Sequence, residues 1–338
     1  MISISIFNNK GGVGKTTLLC NIAAYLKTHK RKKVIIIDAD PQSNATIYLL
    51  PFDDIYELYK KPNSEKTIND LFKEYRKTST YFSKDLPIHS SPRFMVDIIP
   101  GDPNISTYED FLSKDWFEGI NGEPRGLNTT MIFKDLLIKL EAMGYDYAFF
   151  DVGPSLGAIN RSVLLACDYF ILPMSSDIFS LKAIENIELT VKSWQKSFKI
   201  GLDKYSESEM EQYTIRGNPI SPHLKFLGYV TQQYTAKSVN GEKRAVKAFD
   251  KIIKEIPVNI AKHLVPINGT TEPIEYNLGE IQTLHSLIPL SQTANSPLFS
   301  LKADDGVVGA HFSKVKEFLT TITNIVNKID VNLSILEQ

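Results

Sequence analysis

The chain has 338 residues, of which 43% are hydrophobic, so it is long enough to bury the core of one large α/β domain or of two smaller ones. Its formal net charge of −1 excludes a polycation that binds nucleic acid over its whole surface, and any such contact must come from a local basic patch. The two cysteines, Cys20 and Cys167, lie in apolar segments without a metal-binding spacing, which predicts buried thiols in a reducing compartment.

Export and membrane signals are not visible in the sequence. The first residues enter a strand pattern at once, which leaves no room for the basic, apolar and cleavage regions of an export signal. The longest apolar stretches are interrupted by Asp38, Asp151 or Asp168 and fall short of the roughly 18 residues that a membrane span needs. We therefore expect a cytoplasmic protein.

The first predicted elements are a strand from Ile2 to Phe7, a glycine-rich loop and a helix from Thr16 to about His29. Glycines let backbone N–H groups converge on phosphate oxygens, a lysine reaches the outer phosphates, a hydroxyl binds Mg²⁺, and a helix N-terminus favours an anion. Lys15 and Thr16 supply the lysine and the hydroxyl. The predicted phosphate-binding residues are Lys10, Gly11, Gly12, Val13, Gly14, Lys15, Thr16 and Thr17.

The second predicted strand, Val34 to Ile37, has no polar alternation, which is typical of a parallel sheet buried on both faces. It leads directly into Asp38-Ala39-Asp40-Pro41-Gln42. Side chains two apart share one face of a strand, so Asp38 and Asp40 are both candidates for the crevice at the carboxyl ends of the strands, where open α/β sheets bind ligands. The alternative is that they are capping or turn aspartates beside a proline.

Residues from about 50 to 130 have a poor periodicity that is broken by repeated prolines, and we interpret them as an insertion. A short helix is predicted at Thr67 to Phe72 and a strand at Met95 to Ile99. Aromatic side chains mingle with lysines here, as they would in a stacking surface for nucleic acid or in a small core of the insertion itself. We favour the small core. These aromatic residues are Tyr56, Tyr59, Tyr75, Tyr81, Phe82 and Phe94.

A helix from Thr130 to Met143 and a strand from Tyr147 to Phe150 precede Asp151. A strand that delivers one carboxylate at its carboxyl end is the pattern of a Walker B aspartate, which holds Mg²⁺ beside the phosphate loop. Asp151 is therefore a predicted metal residue, together with the hydroxyl of Thr16, and each would bind the ion directly or through water.

The following strand, Tyr169 to Leu172, is predicted to end at Pro173, and a helix is predicted from Leu181 to Trp194. Residues 195–222 are polar, and we interpret them as a second insertion before a late strand from Phe226 to Thr231.

The helical pattern from Val239 to Ile256 separates charged from apolar residues. One arc is basic, and the opposite side carries apolar residues that include Ile252 and Ile253. Acidic residues dilute the basic arc, so an ordinary solvated face is the alternative to a DNA-binding surface. The candidate DNA-binding residues are Lys237, Lys243, Arg244, Lys247, Lys251 and Lys254.

The last predicted helix, Phe312 to Ile329, has a clear apolar face. We expect this face to pack against the sheet. The alternative is a helix that lies on a membrane surface, which would require a polar side rich in lysine and arginine. His285 and His311 have no metal-like spacing, and we interpret both as structural residues.

Three motifs resemble those of the ParA/MinD family, the deviant Walker A group of the SIMIBI class of P-loop proteins. The string K-G-G-V-G-K-T-T resembles the deviant Walker A motif because of its early lysine, Lys10. The string from Asp38 to Gln42 resembles D-x-D-P-Q. The segment after Asp151 resembles D-x-P-P-S-L-G, with Gly153 in place of the first proline. The order of these signals resembles ParA-type partition ATPases over about residues 1–50, 90–195 and 225–330.

The resemblance implies a P-loop NTPase-like α/β fold with a mostly parallel, doubly wound sheet flanked by helices. We expect one domain over residues 1–338, with insertions at about 50–130 and 195–222. The implied cofactors are ATP and Mg²⁺. The implied catalytic residues are Lys10, Lys15 and Asp40, of which Asp40 would orient the attacking water and Lys10 would complete the site of the other subunit. The implied metal residues are Thr16, Asp38 and Asp151.

The implied function is a slow ATPase that dimerises around Mg-ATP, binds DNA without sequence preference and positions or segregates plasmid, chromosomal or other cargo. A ParB-like or other adaptor would stimulate hydrolysis, and the ATP state would associate with the nucleoid. One alternative is a MinD-like regulator at the membrane surface. Another is an amidoligase or synthetase that uses ATP, for which the sequence shows no second substrate motif.

Overall fold

The computed structural model of the chain describes residues 1–60, 66–78, 82, 85–232, 243–282, 284 and 286–337, with residues 78 and 243–250 described without their side chains. The strands are β1 (Ile2–Ile6), β2 (Val34–Asp38), β3 (His89–Ser90), β4 (Asp97–Ile99), β5 (Tyr147–Asp151), β6 (Tyr169–Ser175), β7 (Thr214–Ile215), β8 (Asn218–Pro219), β9 (Lys225–Gln232) and β10 (Asn277–Ile281). The α-helices are α1 (Lys15–Lys30), α2 (Asn44–Leu49), α3 (Phe52–Lys60), α4 (Ile68–Thr78), α5 (Glu109–Ile120), α6 (Pro124–Thr130), α7 (Ile132–Ala142), α8 (Ala158–Ala166), α9 (Ile178–Glu209), α10 (Lys243–His263), α11 (Leu287–Thr293) and α12 (His311–Leu336).

Within the described residues, eight strands form one sheet in the order β10-β9-β6-β1-β5-β2-β4-β3. All neighbours are parallel except β3, which runs antiparallel to β4. Strands β7 and β8 form a separate antiparallel pair. The predicted α/β fold with a mostly parallel sheet is confirmed.

Helices cover both faces of the sheet because alternate strand residues face opposite sides. In β2, Ile36 belongs to the core shared with α1, α2 and α12, whereas Ile35 and Ile37 belong to the core shared with α7 to α10. Every residue of β2 is buried, as the unbroken apolar pattern predicts. The register pairs Asp151 with both Ile6 and Asp38, so β1, β2 and β5 end at the same edge.

The apolar face of α12 packs against the sheet, as predicted. Ile322, Ile325 and Ile329 are fully buried in the core that contains β1 and α1. The face that a membrane-lying helix would need is therefore already covered by protein. Among the described residues, no helix combines the length and the apolarity required to cross a membrane.

Strand β6 does not end at Pro173, contrary to the prediction. The strand runs on to Ser175, and Pro173 pairs with Val230 of β9. The carbonyl oxygens of Ile171 and Pro173 both face the β1 side, where they accept bonds from the Phe7 N–H and the Asn8 amide. The hydrogen-bond ladder between β1 and β6 ends at Ile171. The absence of an N–H group on Pro173 therefore removes no hydrogen bond from that ladder.

The second predicted insertion, residues 195–222, is in large part a helix. Helix α9 continues through Trp194 to Glu209, and the β7–β8 pair follows it. The continuation has a buried face of its own, since Phe198 and Leu202 pack with Trp116 of α5. The polar composition of this stretch therefore reflects an exposed helix surface rather than a loop.

The aromatic residues of the 50–130 segment do not form a small core of their own, contrary to our expectation. Tyr75 and Phe82 belong to the core on the face covered by α7 to α10, and Phe94 belongs to the core on the opposite face. Tyr75, Phe82 and Phe94 are buried, whereas Tyr56 and Tyr59 are exposed. Tyr81 lies outside the described residues.

The predicted strand at Met95 begins only at Asp97, and Met95 itself has a φ of 60° in the preceding turn. Cys20 and Cys167 are fully buried, as predicted. That one domain spans the whole chain stays a prediction.

The Asp168 side chain forms hydrogen bonds that connect segments at the amino ends of the central strands. Its carboxylate accepts bonds from the N–H and the hydroxyl of Ser3 at 2.8 and 2.6 Å and contacts Nε2 of His223 at 2.8 Å. Burial alone would raise the pKa of Asp168, but the bond with His223, the charge of Lys134 and the bonds from Ser3 outweigh it and lower the pKa to about 2. The folded state therefore favours the ionised carboxylate.

We predict that Asp168→Asn lowers the free energy of unfolding by about 1–3 kcal/mol at neutral pH, because it removes a half-buried, charge-assisted hydrogen-bond acceptor. The folded pKa lies below the unfolded value of 3.8, so the stabilisation is present above that value and is lost as the pH falls towards 2. Urea unfolding between pH 7 and pH 2 should show this acid-dependent loss in the wild type and a smaller one in the variant. Asp304→Asn, at an exposed position, is the control, and an equal effect of both substitutions would contradict the prediction.

Candidate functional site

A cleft of about 520 Å³ opens at the edge where β1, β2 and β5 end. Its position agrees with the general location of ligand sites in open α/β sheets. Seven of the eight predicted phosphate-binding residues line it, together with Asp40. The lining residues are Gly11, Gly12, Val13, Gly14, Lys15, Thr16, Thr17, Asp40, Gln42, Asn44, Ile47, Tyr48, Pro154 and Gln292.

The glycine-rich loop has the backbone that a phosphate cradle requires. Gly12 and Gly14 have φ angles of 73° and 72°, in the left-handed region that glycine adopts without strain. Gly14 is the N-cap of α1 and supplies no side-chain acceptor. The first N–H groups of α1 therefore remain available to an anion in the cleft.

The hydroxyl of Thr16 donates a 2.7 Å hydrogen bond to Oδ2 of Asp151, which joins the loop to the end of β5. Asp151 is fully buried, and within the described residues its Oδ1 atom has no hydrogen-bond donor. Burial, followed by the nearby charge of Asp38, raises the pKa of Asp151 well above its usual value. An unpaired buried carboxylate oxygen next to a hydroxyl is a donor set that suits Mg²⁺.

Lys15 is the cation at the base of the cleft. Its side chain is buried, and its ammonium lies 3.5 Å from the carbonyl oxygen of Lys10. Burial lowers the pKa of Lys15, while Asp151 and Asp40 oppose the shift. An anion in the cleft would favour the charged form further, so Lys15 is well placed to bind phosphate.

The two aspartates after β2 face different surroundings. Asp40 lines the cleft, and its Oδ1 accepts the N–H of Gln42 at 3.0 Å. Asp38 is fully buried, and its Oδ2 accepts the N–H and the hydroxyl of Thr46 at 2.8 and 2.7 Å. Burial raises the pKa of Asp38 to about 7, although the bonds from Thr46 lower it. The structure therefore brings Asp40, but not Asp38, to the cleft, and a metal-binding role for Asp38 stays a prediction.

Lys10 points away from the cleft within its own chain. Its ammonium forms an ion pair with Asp177 and lies 3.5 Å from the hydroxyl of Ser175. Asp177 is also the N-cap of α9 and accepts the N–H groups of Phe179 and Ser180 at 3.0 and 3.1 Å. Burial would raise the pKa of Asp177, but the bond and the charge of Lys10 prevail and lower it.

A second, mostly apolar cavity of about 260 Å³ adjoins the phosphate loop. Gln232 lies between the loop and this cavity, and its side-chain amide donates to the carbonyl of Val13 at 2.9 Å. No single motif predicts this cavity, because its walls come from separate segments of the chain. They are Gly14, Thr17, Leu18, Gln232, Ile281, Gln282, Leu284, Ile288, Leu298 and Phe318.

The candidate DNA-binding residues are only partly described. Lys251 and Lys254 are exposed on α10, and Lys251 lies 3.8 Å from Glu255. Ile253, which we predicted on the apolar side, is 45% exposed. Lys237 lies outside the described residues, as do the side chains of Lys243, Arg244 and Lys247. His285 also lies outside them, whereas His311 contacts the hydroxyl of Ser286.

Several site residues were missed by the sequence analysis. Tyr48 and Gln292 line the cleft but belong to no motif, and Pro154 lies in the motif after Asp151 without a role predicted for it. Asp177 carries one local signal, since an aspartate just before a helical pattern is a common N-cap. Its contact with Lys10 joins residues 167 positions apart in the chain and has no local signature.

Comparison with protein families and known relatives gives clear matches. The family model AAA_31, described as an AAA domain, matches residues 1–204. The chromosome partitioning protein ParA of Myxococcus xanthus is 28% identical over 190 residues, which are 56% of this chain and 57% of that protein. An uncharacterized protein of Methanocaldococcus jannaschii is 27% identical over 258 residues, which are 76% of this chain and 83% of that protein.

Solved structures are similar over most of the chain. A protein of Corynebacterium diphtheriae has a TM-score of 0.68 and 28% identity, and the match covers 87% of this chain and 97% of that one. A putative plasmid partition protein of Borrelia burgdorferi bound to AMPPNP has a TM-score of 0.57 and 19% identity, with 97% of each chain covered. At that identity, the second likeness shows the fold alone.

We predict that Asp151→Asn stabilises the chain in the absence of nucleotide and divalent cations, by about 1 kcal/mol or more, because it removes a buried charge with an unpaired oxygen. The folded pKa of Asp151 is raised, so its contribution to stability is present at low pH and is lost as the pH rises through that pKa. Thermal unfolding near pH 7 measures the effect. Asp168→Asn is the matched control and should act in the opposite direction, and a lower melting temperature for Asp151→Asn would contradict the prediction.

Proposed function

The chain belongs to the ParA/MinD family of P-loop ATPases, and from this premise we propose that it is a nucleotide-dependent switch that positions DNA cargo. In this proposal it binds Mg-ATP, dimerises around it, binds DNA without sequence preference and releases the DNA after slow, partner-stimulated hydrolysis. The observation that carries the proposal is the Thr16–Asp151 hydrogen bond behind a glycine-rich loop that faces a cleft. The relative from Myxococcus xanthus is named as a chromosome partitioning protein, which supports the cargo that we propose.

The cleft and the adjoining cavity suit the two parts of ATP. The backbone N–H groups from Gly12 to Thr16 would bind the phosphates, and Lys15 would bind the β and γ oxygens. The apolar cavity beyond Gly14 would take the adenine base. Phe318 and Ile288 supply its apolar walls, and Gln232 and Gln282 supply polar groups at its edge.

Thr16 and Asp151 would hold Mg²⁺, directly or through water. When bound, the ion would neutralise negative charge that develops on the phosphate oxygens during transfer to water. The chain's own groups do the positioning: Lys15 holds the transferred phosphate, and Asp40, whose carboxylate lines the same cleft, orients the attacking water. No covalent intermediate on the protein is required.

Lys10 would act on the nucleotide of a second subunit after leaving Asp177. The Lys10 and Asp177 side chains are 30% and 29% exposed. A partly exposed ion pair contributes about 1 kcal/mol or less to stability. A contact between Lys10 and the nucleotide of the partner subunit could therefore readily replace the contact between Lys10 and Asp177. The same ion pair is therefore compatible with a lysine that changes partners on dimerisation.

We expect Lys10→Ala to abolish ATP-dependent dimerisation and to lower the ATPase rate at least tenfold, while ATP binding to the single chain persists. Sedimentation with ATP or ADP, and ATPase rate against protein concentration, measure these effects. Lys15→Ala should instead remove ATP binding, and Lys32→Ala, at an exposed position, should change nothing. If Lys10→Ala dimerises and hydrolyses ATP as the wild type does, the proposed dimer-coupled switch is wrong.

DNA binding would use the exposed lysines of α10. We predict that reversing two charges, with Lys251→Glu and Lys254→Glu together, weakens ATP-dependent DNA binding about tenfold or more and reduces its salt dependence, because each phosphate contact releases counterions. Gel shifts with a random-sequence duplex in ATP and in ADP measure this.

The matched control is Lys196→Glu with Lys199→Glu, which has the same spacing and the same charge change on the exposed surface of α9. Equal loss in both double variants would indicate a general charge effect rather than a site on α10. DNA binding that does not depend on nucleotide would contradict the switch itself.

A further inference from the structure

Helix α5 contacts the start of α8, which directly follows the loop after β5. Glu109, the first residue of α5, accepts the N–H of Ala158 at 2.6 Å through Oε2 and that of Ile159 at 3.4 Å through Oε1. These N–H groups belong to the first turn of α8 and have no partner within that helix. The N-cap residue of α8, Gly157, provides no side-chain bond. A carboxylate from a different segment therefore caps α8.

The fit between the two helices is close. A Cβ atom at Gly157 would lie 2.8 Å from Oε1 of Glu109, so the carboxylate occupies space that only a glycine leaves free. Further along, Arg161 donates to the carbonyl of Leu112 at 3.4 Å, and its guanidinium lies 4.4 Å from the ring of Trp116. The contact thus extends along both helices, and α5 cannot move alone without disturbing α8.

The loop between β5 and α8, residues 152–157, faces the cleft on its other side. Pro154 lines the cleft. A Cβ atom at Gly153 would lie 3.2 Å from Oδ1 of Asp40, so the loop backbone approaches the residue that would orient water. Asn160 of α8 donates bonds of 2.7 Å to the carbonyls of Gly153 and Ser155. The loop is therefore held by α8, and α8 is held by Glu109.

We propose that Glu109 is a positioning residue that couples α5 to the nucleotide site through α8 and the 152–157 loop. The inference rests on the proposed function, because it concerns the same ATPase site. Glu109 touches neither nucleotide nor water in this scheme. It holds the first turn of α8, Asn160 holds the loop from that helix, and the loop limits where the Asp40 carboxylate lies. The 50–130 segment thereby gains a role in catalysis that its position outside the motifs does not suggest.

The predicted effect is on the chemical step rather than on binding. With Glu109→Ala, the turn loses its cap and the loop samples other positions, which should lower kcat about threefold to tenfold. The Kd for AMPPNP should change less than twofold, since the phosphate loop itself is intact. Glu109→Gln keeps one acceptor oxygen and should recover most of the rate. Asp110→Asn, the exposed neighbour on the same turn, should match the wild type.

Fluorescence of Trp116 gives a second readout that a purely structural cap would not change. In a Trp194→Phe background, Trp116 is the remaining tryptophan and stands on Arg161 of α8. Nucleotide binding in the cleft should alter its emission when Glu109 is present and leave it unchanged in Glu109→Ala. Should Glu109→Ala fail to fold, Glu109→Asp, with a shorter reach, takes its place with the same expected loss.

The outcomes separate this inference from the proposed function. If the wild type hydrolyses ATP and Glu109→Ala does so at the same rate with the same Trp116 response, the coupling is wrong and the ATPase proposal stands. If Glu109→Ala lowers only the melting temperature, Glu109 is a structural cap and the inference is likewise overturned. If the wild type neither binds nor hydrolyses ATP, the proposed function fails and the coupling fails with it.

Discussion

The burial of carboxylates at one edge of a parallel sheet is the constraint on which the site depends. The strand register places Asp38 beside Asp151, and both are fully buried. Among the described residues, Lys15 is the one lysine or arginine that is buried. Its charge reduces but does not cancel the cost of ionising Asp151, whose pKa burial raises, and burial also raises the pKa of Asp38 to about 7. The proposed binding of a cation at Asp151 and of an anion at Lys15 would lower this electrostatic cost.

The contact that holds this site together and the contact that can be exchanged differ in how much of their side chains is exposed to solvent. The Thr16–Asp151 bond joins a half-buried hydroxyl that lines the cleft to a fully buried carboxylate, so breaking it would leave that buried carboxylate without its donor. The Lys10–Asp177 ion pair is at the rim, where water screens both charges. The proposed switch needs one contact that is kept and one that is exchanged, and these two contacts differ chiefly in the burial of their carboxylates, Asp151 being fully buried and Asp177 29% exposed.

The sequence predicted the parts of the structure whose chemistry is local. The glycine-rich loop, the strands that end at Asp38 and Asp151, and the apolar face of α12 follow from short-range patterns, and the structure has each of them. The direction of the Asp38 side chain was not predictable, because Thr46, eight residues later, determines it. Strand β10 was missed, since its glycine, asparagine and glutamate give little strand propensity, and its pairing with β9 and the burial of Leu278 decide its conformation.

The segment from 50 to 130 is the strongest case in which tertiary contacts override the sequence pattern. Its prolines suggested an insertion that packs apart from the sheet, yet residues of this segment contact groups on two sides of the site. Gly101 approaches Asp38 so closely that a Cβ atom there would lie 2.9 Å from the carboxyl carbon, and Tyr59 donates to the carbonyl of Gly101 at 2.7 Å.

On the other side, Glu109 caps α8 and so limits the loop that faces Asp40. The ends of β2 and β5 are therefore both bounded by residues of this segment. The proposed coupling is reciprocal in binding free energy: a partner whose binding to this segment changed the affinity of the site for nucleotide would have its own affinity changed by nucleotide by the same factor.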